Sequence, residues 1–114
     1  LGVPLESGEI WCRVLESSLE IEPGASLPEA SVYLVEHEHF FFRKDFYSEN
    51  GQEYPDNTQR FGFLSKAAMK LGLALNWIPD IFHTHDWHAA LVPYFLQQIR
   101  KNCIRFKANF LYRM

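Results

Sequence analysis

The sequence predicts an α/β fold with a mostly parallel sheet and crossover helices, on three observations. Short runs at 9–16, 31–37, 80–85 and 104–112 have the alternating, β-branched or aromatic character of strands. Two longer stretches, 56–75 and 87–101, are read as helices, the first carrying apolar residues at helical spacing. From 31 onward strands and helices alternate, and that order implies parallel pairing with right-handed crossovers. At 114 residues the chain is one domain by length, and 47% hydrophobic residues suffice for a core and argue against disorder.

Taken in order, the run 9–16 alternates Ile10, Cys12 and Val14 against Trp11, Arg13 and Leu15, a strand with one mixed face. Pro23, Gly24 and Pro28 make 20–30 a loop. The run 31–37, SVYLVEH, is a strand apolar enough to be mostly buried. Residues 38–57 read as a long irregular loop carrying Asn50-Gly51 and Pro55, and such loops tend to be functional. A helix then begins at Asp56, its expected cap, with Gln59 as reciprocal partner. Phe61, Leu64, Ala68, Leu71 and Leu75 give it one apolar stripe. Gly62 and Gly72 each weaken it by about 1 kcal/mol relative to alanine, and close packing against a sheet would explain them. The strand at 80–85 follows Pro79, and the second helix, 87–101, carries Pro93 near its second turn, where it should bend the helix or loosen one hydrogen bond. The last strand points Ile104, Phe106, Ala108 and Phe110 inward.

Charge is unevenly spread. Residues 1–38 hold eight glutamates against Arg13 alone, and 100–114 hold five bases and no acid. Those bases alternate with apolar residues, as on a strand edge, and no recognition motif accompanies them, so nucleic-acid binding is not expected. Cys12 and Cys103 lack metal-knot spacing and permit a reducing compartment. No signal peptide is visible, and no apolar run approaches the roughly 20 residues of a membrane span. An intracellular chain without membrane attachment is expected.

Chemistry concentrates in PDIFHTHDWHAALVPYF, 79–95, where His83, His85, Asp86, Trp87 and His88 fall together. In an extended strand Ile81, His83 and His85 share one face, and Phe82 and Thr84 the other. Asp86 then sits at the carboxyl end of the strand, where open α/β sheets bind ligands. Three readings stand side by side. Asp86 can simply cap the helix through the amides of His88 or Ala89, with Trp87 a core anchor and His83 buried and hydrogen-bonded. His83, His85, Asp86 and His88 can hold zinc as in a hydrolase. Their order is near the His-x-His-x-Asp-His pattern of metallo-β-lactamase-like enzymes, but the aspartate is displaced by one position. Finally, short polar groups beside aromatics suit a sugar, with its many hydroxyls and apolar ring face.

Three blocks, VYLVEHEHFF (32–41), FYSENGQEYPDNTQRFGFLSKAA (46–68) and PDIFHTHDWHAALVPYFL (79–96), resemble the N-terminal domain of bacterial glycogen synthases and plant starch synthases. The likeness spans roughly 9–99. It implies a partial Rossmann-like domain, the incomplete half of a two-Rossmann-domain retaining glucosyltransferase. Such enzymes move glucose from ADP-glucose to the non-reducing end of an α-1,4-glucan without a catalytic metal or other cofactor. By position, His85 and Asp86 become the candidate catalytic residues, with Asp56, Asn57, Arg60, Trp87 and His88 shaping the substrate site. Nothing in 1–15 matches the family's glycine-rich lysine loop, and the end, FKANFLYRM, departs from its His-Asn pair. A fragment is therefore expected. It would be inactive alone, able at most to bind glucan, and prone to self-association. Its host would be the bacterial cytoplasm or a plastid.

Overall fold

A computed structural model describes residues 1–6, 8–19, 30–102 and 109–113. The loop expected at 20–30 and the first half of the last strand lie almost wholly outside the described residues. The chain opens with two antiparallel hairpins. Strands β1 (Gly2–Leu5) and β2 (Gly8–Trp11) pair, and β3 (Arg13–Leu19) pairs with β4 (Ala30–Glu36) along seven residues, from Arg13 opposite Glu36 to Leu19 opposite Ala30. The single strand expected at 9–16 is thus two strands of different hairpins, divided at Cys12, whose N–H donates to the Leu1 carbonyl at 2.9 Å. β4 has its expected place but is not mostly buried: Leu34 is 53% exposed, opposite an exposed Leu15.

The expected irregular loop contains structure. A short helix α1 (Glu38–Phe41) is followed by a small hairpin of β5 (Ser48–Glu49) and β6 (Gln52–Glu53). Asn50 (φ 53°) and Gly51 (φ 79°) both occupy the left-handed region. A two-residue hairpin turn requires that, and Asn-Gly adopts it at low cost.

Helix α2 (Asn57–Ala74) is the centre of the molecule. Its end is built by Asn76 at φ 52°, with Trp77 N–H donating to the Gly72 carbonyl and Asn76 N–H to that of Leu73, which satisfies two otherwise orphaned carbonyls. The buried residues run around the helix rather than along one stripe. Phe63 and Ala67 pack with Val3 and Phe40, and Met69 packs with Val92 and Leu96. Of the predicted stripe, Phe61 is buried, whereas Ala68 and Leu75 are exposed. Two separate cores flank the helix, so it needs two apolar faces. Fully burying Phe63 contributes about 2–3 kcal/mol to holding the first of them. Close packing does explain both glycines, though not against a sheet. Gly62 faces a Leu91 methyl, and Gly72 lies under the Trp77 carbonyl of its own helix end.

Next, strand β7 (Ile81–His85) leads through a 3-10 turn (Trp87–Ala89) into helix α3 (Val92–Asn102) and then β8 (Asn109–Arg113). β7 and β8 are parallel, Ile81 opposite Asn109 and His85 opposite Arg113. The crossover expected from strand–helix–strand order is therefore present here. The other three strand pairs are antiparallel, so the mostly parallel sheet does not describe these residues. Pro93 stands in the first turn of α3, because the helix starts later than predicted, and there its missing N–H costs nothing. Among the described residues no helix is long and apolar enough to cross a membrane.

Candidate functional site

Alternation along β7 sorts its side chains as the pattern required. Phe82 packs toward the α2–α3 core and Thr84 is 7% exposed, while Ile81, His83 and His85 face solvent. His83 is thus exposed, not buried as expected, and its ring lies 4.3 Å from that of His85. The inward face is already occupied by Phe82 and Thr84.

Immediately beyond β7 the backbone turns at Asp86 with φ 62° and ψ 174°. That region belongs almost exclusively to glycine, and a side chain held there signals a surrounding structure that over-determines it. The carboxylate caps, but not as predicted. Asp86 Oδ1 accepts from the N–H of Trp87, the very next residue, at 2.7 Å, and Oδ2 lies 3.8 Å from His88 Nδ1. The amides of His88 and Ala89 are out of its account because the chain enters a 3-10 turn, in which Ala89 N–H donates to the Asp86 carbonyl at 3.3 Å. Asp86 therefore keeps an exposed carboxylate at the sheet rim.

Trp87 is 47% exposed and so is no core anchor. It stands edge-on to Phe61 at 4.7 Å and touches Tyr47 at 5.6 Å, leaving much of the indole open. His88 is more enclosed. Its ring stacks on Tyr47 at 4.7 Å and 18°, meets Phe61 edge-on, and its Nε2 is buried without a hydrogen-bond partner among the described residues. The Tyr47, Phe61 and His88 rings form one wall of a cavity of about 400 Å³, whose other wall includes Phe41, Phe46 and Arg60; Trp87 stands outside its lining. His88 lines that cavity; His85 and Asp86 stand outside its lining. A larger open groove, about 810 Å³, lies between Trp11 and Phe42 and shares no residue with this junction.

The three residues expected on the neighbouring wall are tied to the loop that precedes them. Arg60 is 3% exposed, and its guanidinium donates to the carbonyls of Phe40 at 2.6 Å and Phe46 at 3.0 Å and to Asn57 Oδ1 at 2.6 Å. Burial lowers the pKa of this guanidinium, with the nearby Arg43 charge acting the same way. Asn57 Nδ2 donates to the Tyr47 carbonyl at 2.9 Å. Asp56 begins α2, but its side chain makes no cap bond and Gln59 has no reciprocal part. Both Asp56 oxygens accept from Arg43 instead, at 3.1 and 2.5 Å. Burial pushes the Asp56 carboxyl up, yet the hydrogen bond and charge of Arg43 outweigh it and hold the group below its ordinary value. The Tyr54 ring is approached by the guanidiniums of Arg43, at 4.7 Å, and Arg60, at 5.1 Å.

The predicted residues thus form two groups. His85, Asp86, Trp87 and His88 make the rim, and Asp56, Asn57 and Arg60 hold the loop that presents Tyr47 to Trp87 and His88. Tyr47, Arg43 and Tyr54 are the members that sequence reasoning did not single out. The density of aromatics in 39–54 was the available signal, but nothing in the sequence paired Arg43 with a residue 13 positions on. For zinc, the four candidate ligands divide into the pairs His83–His85 and Asp86–His88, and among the described residues no three such side chains converge.

The strand end thus presents an exposed carboxylate, an open indole and paired imidazoles together on an α/β scaffold. The family model for the starch synthase catalytic domain matches residues 2–112. The chain is 43% identical over 95 residues to glycogen synthase 1 of Geobacter sulfurreducens, covering 83% of this chain and 18% of that protein. It is 38% identical over 103 residues to the glycogen synthase of Treponema denticola, covering 90% and 20%. Its fold superposes on the catalytic domain of starch synthase IV from Arabidopsis thaliana, bound to ADP and acarbose, with TM-score 0.67 and 25% identity over 97% of this chain and 20% of that one. The chain belongs to the glycogen and starch synthase family of glycosyltransferases. It spans about a fifth of the length of these relatives.

Proposed function

We propose that the protein serves glucan synthesis as the acceptor-side part of a retaining glucosyltransferase, which moves glucose from ADP-glucose to the non-reducing end of an α-1,4-glucan. The observation that carries this reading is the rim itself: His85, Asp86 and Trp87 are exposed together at the carboxyl end of a parallel strand, on a backbone turn that few residues tolerate. The crossover β7–α3–β8 is then one unit of a Rossmann-like domain. The starch synthase IV neighbour carries ADP, the group that ADP-glucose leaves behind.

In the transfer, the bond from the sugar's anomeric carbon to the diphosphate breaks and a bond to the acceptor hydroxyl oxygen forms. The hydroxyl proton leaves with the departing phosphate. Positive charge gathers on the ring as negative charge gathers on the diphosphate. Fixed groups lower that barrier better than mobile ones. The Asp86 carboxylate accepts from a sugar hydroxyl, His85 donates to one, and the open face of Trp87 packs on the apolar side of a ring. None of the three neutralises a diphosphate, so turnover draws on cationic groups elsewhere in the whole enzyme. No metal or other cofactor enters this scheme, and the host compartment is a bacterial cytoplasm or a plastid.

The short span relative to the relatives favours a second reading of the isolated chain, that it binds glucan without turning over. Exposed Trp11, Leu19, Leu34 and Phe42 also favour its self-association. Calorimetry with maltoheptaose, beside incorporation of labelled glucose from ADP-glucose, separates the possibilities. Binding without incorporation is expected. Incorporation by the chain alone would overturn the dependence on the rest of the enzyme, and absence of binding would overturn the acceptor role.

A further inference from the structure

We infer that Arg43 is a positioning residue, which sets the Tyr47 ring against His88 by clamping the start of α2 to the loop behind α1; the inference rests on the acceptor-site reading above. Arg43 sits where three segments meet. Its guanidinium donates to both Asp56 oxygens and, through Nε and Nη2, to the His39 carbonyl at 3.2 and 2.9 Å. One planar fork therefore joins α1 to the first residue ahead of α2, a geometry that lysine, with a single point charge, does not reproduce. The pair is about four-fifths buried, with side-chain exposures of 19% and 21%, which limits screening by solvent.

What the clamp governs follows from the chain. Only residues 44–46 separate Arg43 from Tyr47; the Lys44 and Phe46 side chains are exposed, and this stretch is tied to the core through the Phe46 carbonyl, which accepts from Arg60. Besides its ring contacts with Phe46, Phe61, Trp87 and His88, Tyr47 is held at its backbone, where its carbonyl accepts from Asn57 Nδ2 and from the Tyr54 N–H. Both donors belong to the segment that Asp56 anchors. Releasing Arg43 frees one end of this loop and lets the Tyr47 ring leave His88, although Arg43 lies outside stacking reach of either ring. Tyr54, covered by the Arg43 guanidinium, moves with it.

The test uses the whole chain with Arg43→Gln and, separately, Asp56→Asn. Nuclear Overhauser contacts between the Tyr47 ring and the His88 imidazole report position, and those between Phe40 and Phe63, 5.1 Å apart in the core, report folding. Both variants are expected to lose the Tyr47–His88 contacts and keep the Phe40–Phe63 contacts. Maltoheptaose affinity should fall about tenfold, equivalent to about 1.4 kcal/mol. Intact Tyr47–His88 contacts in either variant overturn the inference, as does loss of both contact sets together, which would mark Arg43 as merely structural. If the unmodified chain binds no maltoheptaose while the ring contacts respond as stated, the glucan reading fails and the positioning role stands.

Discussion

Replacing Asp86 separates its structural cost from its use. The residue stands at φ 62° and ψ 174°, and a side chain kept in that region stores about 1–3 kcal/mol of strain. Asp86→Gly releases the strain. It also removes the bond to Trp87 N–H, a loss that glycine at a cap position limits to about 0.3 kcal/mol. Glycine's greater freedom in the unfolded chain takes back about 0.5–1 kcal/mol. The balance leaves Asp86→Gly about 1 kcal/mol more stable than the parent. Asp86→Ala keeps the strain and loses the cap, so it should be about 1 kcal/mol less stable. The two variants then differ by about 2 kcal/mol, roughly 8 °C in melting temperature for a chain of this length. Thermal unfolding followed by circular dichroism measures that order, and calorimetry with maltoheptaose should show both variants weakened. An alanine variant as stable as the glycine one would refute the strain argument. Undiminished maltoheptaose binding by both would refute the role of the carboxylate. The expected pattern, stability gained as binding is lost, is the usual signature of strain kept for function.

Two further expectations concern the scaffold. Gly72→Ala places a methyl 2.9 Å from the Trp77 carbonyl oxygen, a backbone atom with no room to yield, whereas at Gly62 it meets a Leu91 methyl at 3.6 Å. Gly72→Ala should therefore destabilise by about 1–2 kcal/mol despite alanine's helix preference, and Gly62→Ala should stabilise by up to about 1 kcal/mol; urea unfolding that reversed this order would contradict the packing at the end of α2. The Asp56 carboxyl titrates below its ordinary value because of Arg43, so its contribution is complete above the unfolded value near pH 3.9 and is lost as pH falls through the lower folded value. Asp56→Asn should accordingly cost about 2 kcal/mol at pH 7 and progressively less below about pH 4. Denaturant midpoints for parent and variant across that range check this, and a gap that stayed constant would sink the assignment.

Local chemistry made much of the fold legible before any coordinates. The alternation in 80–85 sorted Phe82 and Thr84 from His83 and His85 correctly, because a strand's side-chain period does not depend on its neighbours. The α2 and β7 spans, the parallel crossover to β8 and the exposed Asp86 at a strand end all followed from short-range pattern. So did the family likeness, carried by contiguous blocks around Asp56, Arg60 and His85. Asn50-Gly51 is itself a two-residue hairpin signal, and the β5–β6 hairpin forms around it.

What the tertiary structure decided was every matter of partnership. Asp56 looked like a helix cap because its sequence neighbours offered amides, yet Arg43 is a stronger partner and arrives only once the loop has folded back. Arg60 became a buried brace because two carbonyls from 40 and 46 needed donors. The single stripe on α2 became two faces, since cores formed on both sides of it. Sequence spacing dictates which way a side chain leaves the backbone; which group waits for it there is settled by chain segments that meet only in three dimensions, where desolvated charges and carbonyls must find one another or be paid for in stability.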